Sequence, residues 1–187
     1  MGRGAEEEPG DREALTKGSG RRYSDERDRG RVLPQVPGRR AAGAGEAGPP
    51  GFPTLDDLKA LNHAIHDDAR QPERYALDQP SPVQSSLERA LQAYEPSPEG
   101  IIRTAALLVH GIAQAQGFRD GNRRTAYIAT KSFLEESGLG FVGRASKPDH
   151  MLVRYLNQVV ESQGTRPAPD PQTFERFFLR RLRRHKT

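Results

Sequence analysis

Two adjoining stretches decide how this chain of 187 residues folds: Ile101-Ile-Arg-Thr-Ala-Ala-Leu-Leu-Val-His110-Gly-Ile-Ala113, then Gln116-Gly-Phe-Arg-Asp120-Gly-Asn-Arg-Arg124-Thr-Ala126. The first is the most apolar part of the sequence, and its apolar residues fall nearly all round a helical wheel. Such a helix belongs at the buried centre of a domain. Ser97-Pro98-Glu99 opens it, with proline at the first helical position, where a missing N–H is no loss. The second stretch carries a short Gly-containing turn over 117–121. A further helix is expected from Asn122 to about Ser137, stopped by Gly138 and Gly140 in the manner of a left-handed cap.

Outward from this pair the signals stay helical. Thr54 precedes Asp56 and Asp57, and Leu55, Leu58, Leu61 and Ile65 fall at helical spacing. Val83, Leu87, Leu91 and Tyr94 mark a helix from about Ser81 or Pro82 to Tyr94. Leu152, Leu156 and Val159 or Val160 mark another over 149–163, and Phe174, Phe177, Phe178 and Leu182 a last one over 174–184. No internal repeat and no alternation of period two is present, so the expected fold class is all-α, a helical bundle around a central buried helix. Residues 1–53 differ. They hold eleven of the 19 glycines and six of the 15 prolines, keep no period, and are expected to form a disordered tail. That leaves 54–187 as one helical domain, long enough to bury roughly two-thirds of its unfolded surface.

Composition narrows the function classes. The formal charge is +4 and the mean hydropathy −0.81. No apolar run approaches the ~18 residues of a membrane span, and Met1-Gly-Arg-Gly4 followed by Glu6–Glu8 has no secretory apolar core. Zero cysteines exclude disulfides, thiol chemistry and cysteine metal sites. A soluble cytoplasmic protein with no membrane partner is expected. Two glycine patterns, Gly43-Ala-Gly45-Glu-Ala-Gly48 and Gly138-Leu-Gly140-Phe-Val-Gly143, match the dinucleotide fingerprint by letters, but neither sits between a strand and a helix. His63 and His66 share a helix face, with Asp67 or Asp68 nearby, yet lack the further ligand a zinc site needs. The basic run from Arg180 to Lys186 reads as a solvated helix end whose dipole favours cations. Nucleic acid is therefore not an expected partner, although the pI of about 9.6 motivates it.

The chemistry concentrates in the turn. If Asn122 starts a helix, the free amides of its first residues point toward Asp120 and Gly121 and make an anion site. Gly121 permits close approach of an oxygen-rich ligand, Arg124 can fork onto phosphate oxygens, and Asp120 can hold a Mg²⁺ bridging them. Phe118 is the apolar pin. A second reading fits the same letters equally: Asp120 caps the helix and both arginines are solvated.

The segment from Ala105 through Glu135 resembles the Fic/Doc (Fido) superfamily, whose core motif is H-x-F-x-[D/E]-[G/A]-N-[K/G/N]-R. The resemblance gives Phe118 the buried Phe, Asp120 the metal-binding acid, Gly121 and Asn122 the anion hole, and Arg124 the phosphate-binding Arg. Arg123 stands where Doc-type members carry Lys, with Thr125 following among the nucleotide contacts. Tyr127 replaces the second Arg of AMP-transferring members, which favours the death-on-curing (Doc) branch. That branch implies transfer of the terminal phosphate of ATP, with Mg²⁺, to a hydroxyl on a protein, typically a translation factor, and an antitoxin partner. The loop 71–82 then becomes a flap that aligns the target by main-chain pairing, with Arg74, Tyr75 and Leu77 as its docking residues. One departure is central: the family's catalytic His is Gln116, and the Pro after it is Gly117. Glutamine does not titrate and cannot act as base. His110, about 9 Å back along the helix, is expected to hold an interior hydrogen bond instead. The alternative function is an inactive Fido module that recruits a protein partner.

Overall fold

A computed structural model describes residues 48–66, 76–141, 150–162 and 167–184. Within them the chain forms α1 (Leu55–His66), α2 (Pro80–Gln92), α3 (Pro98–Ala115), α4 (Asn122–Glu136), β1 (Leu139–Phe141), α5 (His150–Glu161), α6 (Pro171–Arg181) and β2 (Leu182–Arg184). The all-α reading holds, and the helices begin for local reasons. Thr54 and Asp57 exchange bonds across the start of α1: the Asp57 N–H reaches Thr54 Oγ1 at 3.2 Å and the Thr54 N–H reaches Asp57 Oδ2 at 2.8 Å. Ser97 Oγ accepts the Gly100 N–H at 3.0 Å ahead of Pro98, and Asp170 accepts the Thr173 N–H at 2.9 Å ahead of Pro171.

Helix α3 is the centre. It packs against α2, α4, α5 and α6, and Ala105, Leu108, Val109, Ile112 and Ala113 have no solvent exposure. Phe174 of α6 is equally buried and takes the edges of His110 and Tyr155 at centroid distances of 6.0 and 5.9 Å. Among the described residues no helix is long and apolar enough to cross a membrane.

Three boundaries differ from the sequence reading. Of the tail expected over residues 1–53, residues 1–47 lie outside the described ones; Phe52, however, is buried and sets its ring edge to face against Phe133, 5.8 Å away. The packed body therefore starts before Thr54. The last helix ends at Arg181 rather than Arg184, because Leu182–Arg184 pairs antiparallel with Leu139–Phe141. Gly140 consequently belongs to a strand, and Gly138 alone, at φ +79°, terminates α4. A three-residue strand has no periodicity to read, and its partner lies some forty positions away in the chain.

His110 is half-buried. It is held by the backbone of Pro169, which lacks an N–H, so the imidazole donates to the carbonyl. Burial keeps its pKa below the ordinary 6.5, and Arg89 adds to the lowering, while the Pro169 bond and Asp170 oppose it. The unfolded ring binds a proton more readily than the folded one. The contribution to stability is therefore complete above 6.5 and lost as pH falls through that value toward the lower folded pKa. The melting temperature is expected to fall from about pH 7.5 to about pH 5.5. His110→Gln, which keeps a donor for Pro169, is expected to flatten that slope in calorimetry; equal slopes would contradict the assignment.

Candidate functional site

The turn between α3 and α4 is built by side chains that satisfy its backbone. Phe118 is 2% exposed and pins it to the core. Both of its main-chain groups are taken by one residue: its N–H reaches Asn122 Oδ1 at 3.0 Å, and Asn122 Nδ2 donates back to its carbonyl. The Asn122 side chain therefore closes the turn and is not available to a ligand.

From α1, Asn62 braces the same corner. It is fully buried, and its Nδ2 donates to the Asp120 carbonyl and to Thr125 Oγ1, both at 2.9 Å. Gly121 makes this possible. Its φ is +82°, and a Cβ there would lie 2.7 Å from Asn62 Nδ2 and 2.4 Å from His66 Nε2. This corrects the sequence reading of Gly121: the space its missing side chain leaves is filled by α1, and its N–H goes to Asp120 Oδ1 at 2.6 Å. Thr125, expected among the nucleotide contacts, is completely buried and engaged with Asn62. Sequence reasoning missed Asn62. The signal was a lone amide in the apolar stripe of Leu58, Leu61 and Ile65. His66, which with His63 lacks the further ligand of a zinc site, stands against Gly121; Asp67 and Asp68 lie outside the described residues.

A third support comes from the chain before α2. Leu77 and Phe118 form an antiparallel bridge. The Asp78 and Gln79 N–H groups donate to the Gly117 carbonyl at 2.8 and 3.1 Å, and the Arg119 N–H to the Ala76 carbonyl at 3.3 Å. An Arg119–Asp78 ion pair of 2.7 Å joins the side chains. Gly117 admits this segment, since a Cβ there would meet Val83 at 2.3 Å and the Gln79 carbonyl at 2.7 Å. In this register Leu77 and Phe118 are a non-hydrogen-bonded pair, so the N–H and C=O of Leu77 point to the outer edge of the segment. Arg74 and Tyr75 lie outside the described residues.

The charges divide. Arg123 is drawn toward α5, where its Nη1 donates to Asn157 Oδ1 at 2.7 Å and approaches Glu161 Oε1 at 4.0 Å. Gln116 also turns that way, its Nε2 donating to the Val160 carbonyl at 3.1 Å. No acid or imidazole among the described residues meets that amide. Asp120 and Arg124 are exposed, and Arg124 makes no hydrogen bond or ion pair among the described residues. No group of three or more potential metal ligands occurs among them either.

Two glycines isolate the contact with α1. Gly121 and Gly138 share nearly the same left-handed φ, +82° and +79°, but a Cβ at Gly138 meets nothing within 4 Å. Gly138→Ala is expected to cost about 1 kcal/mol through backbone conformation alone. Gly121→Ala is expected to cost more, about 2–3 kcal/mol by chemical denaturation, because His66 and Asn62 of α1 must also give way. Equal costs would remove the brace from the account.

No curated protein and no solved structure matches the chain. A family model described as Fic/DOC family matches residues 52–134. The turn, the Leu77 segment and Asn62 all fall inside that span, so this part of the chain is similar to the Fic/DOC family.

Proposed function

We propose that the turn binds a nucleoside triphosphate, ATP in the first instance, and that the protein passes the terminal phosphoryl group to a hydroxyl on another protein, as in the Doc branch. One observation carries this. The polar side chains that build the corner (Asn62, Asn122, Thr125) are spent on it, while Asp120 and Arg124 are left facing solvent beside the start of α4. The amides of Asn122, Arg123 and Arg124 have no acceptor within their helix, and the dipole adds partial positive charge there. A polyphosphate suits that end of a helix, and the Arg124 guanidinium can take two of its oxygens.

Mg²⁺ fits as a nucleotide-borne ion. It commonly takes one or two carboxylates with phosphate oxygens and water, and Asp120 supplies one, its Oδ1 already oriented by the Gly121 N–H. When bound, the ion neutralises charge between phosphate oxygens. Position and charge dominate phosphoryl transfer: the new bond to the hydroxyl oxygen forms as the bond to the β-phosphate oxygen breaks, ADP leaves and the hydroxyl proton passes to water, so the step needs no titrating residue at 116 and is slowed by the roughly 10²–10⁴ that a general base supplies. The outward N–H and C=O of Leu77 offer an extended target segment a place to pair. A translation component as target and an antitoxin as keeper follow from the Doc resemblance.

A second reading has its own support: Gln116 donates to a carbonyl and cannot receive a proton, which favours a Fido module that binds a partner without catalysis. Gln116→His separates them. Transfer to protein by the native chain supports the first reading; a silent native chain whose Gln116→His form transfers phosphate supports the second.

Binding itself is checked by thermal melting. Mg²⁺–ATP at about a hundredfold excess over Kd is expected to add about 2.7 kcal/mol, seen as a rise of several degrees. Asp120→Ala and Arg124→Ala are expected to abolish it. Leu77→Pro removes one outward donor and is expected to leave the ATP shift intact while lowering transfer to protein. No shift in the native protein, or an undiminished shift in Asp120→Ala, contradicts the proposal.

A further inference from the structure

Position 116 does something the nucleotide reading does not require. Helix α3 ends at Ala115, and Gln116 takes φ 44° and ψ 38°, the only non-glycine at positive φ among the described residues. A glycine or asparagine is the ordinary choice for such a corner. What glutamine adds is reach. Its Nε2 crosses to the Val160 carbonyl at 3.1 Å, in the last turn of α5. Carbonyls in the last turn of a helix run out of helical donors. The two before it are met locally: the Ser162 N–H donates to Gln158 and the Ser162 hydroxyl to Val159. Val160 is met from outside, by Gln116.

A second grip falls on the same turn. Arg123 binds Asn157 and faces Glu161, four residues apart on α5, and its positive charge suits a helix C-terminus. Residues 116 and 123 bracket the α3–α4 turn, and both reach the final turn of α5.

We infer that Gln116 is a positioning residue that caps α5 from another element and, with Arg123, fastens that helix to the α3–α4 turn. The requirement at 116 is a donor of glutamine's length. A carboxylate of the same shape presents only acceptors to the Val160 carbonyl, and a glycine presents nothing. This assignment stands whether or not the turn binds a nucleotide.

The test is amide hydrogen exchange on the full chain, with Gln116→Gly and Gln116→Glu beside the native protein. Gln116→Gly relieves the left-handed backbone, so its overall melting temperature is expected to hold or rise. Exchange over residues 158–162 is nevertheless expected to quicken about tenfold, with α1 and α2 unchanged; tenfold corresponds to losing about 1.4 kcal/mol of local protection. Gln116→Glu, isosteric but unable to donate, is expected to show the same local loss. Unchanged exchange over 158–162 in Gln116→Gly overturns the inference. So does a loss spread evenly over all helices, because the side chain would then be serving general stability alone.

Discussion

A turn wedged between two buried helices carries N–H and C=O groups that water does not fully reach, and each must find a partner or cost free energy. Meeting that requirement shapes the region. Asn122 takes both main-chain groups of Phe118, Asn62 takes the Asp120 carbonyl from α1, and the Leu77 segment takes Gly117 and Arg119. The turn is thereby tied to elements far apart in sequence, and its shape is a property of the whole body. Each tie is a net hydrogen bond of about 1 kcal/mol. Losing one leaves a buried group unmet, which costs more than the bond contributed.

The division of charge follows from the same ties. Arg123 is directed to α5 by Asn157 and Glu161, whereas its neighbour Arg124 projects from a different side of α4, a helical step of about 100° away. Two adjacent arginines thus have different surroundings, one holding α5 and one exposed to solvent. Gln116 falls with the first group. A residue type that looked like a missing base is, in three dimensions, a donor in use.

Much of this was legible in the letters. The apolar run from Ile101 to Ala113 could only be a central helix, Ser97-Pro98 marked its start, and Phe118 declared itself the pin. The exposed pair Asp120 and Arg124 stood out by residue type and spacing. What stayed hidden depends on distant partners. Asn62 was one polar letter in an apolar stripe, and nothing local showed that its amide reaches Asp120, 58 positions later. Gly121 suggests room for a ligand in the letters alone, because a sequence does not show that α1 occupies the space beside it. The pairing of β1 with β2, and the reach of Gln116 to Val160, rest on contacts across some forty residues with no periodic signature.

The central claim is that a corner braced from α1, α5 and the Leu77 segment presents the start of α4 to a polyphosphate. An amide nuclear magnetic resonance titration with ATP, with and without Mg²⁺, addresses it directly. The account predicts that the largest shifts fall on Asn122, Arg123 and Arg124, grow when Mg²⁺ is present, and leave α2 and α6 unmoved. Saturating nucleotide that leaves those three amides still, or moves another surface instead, contradicts it.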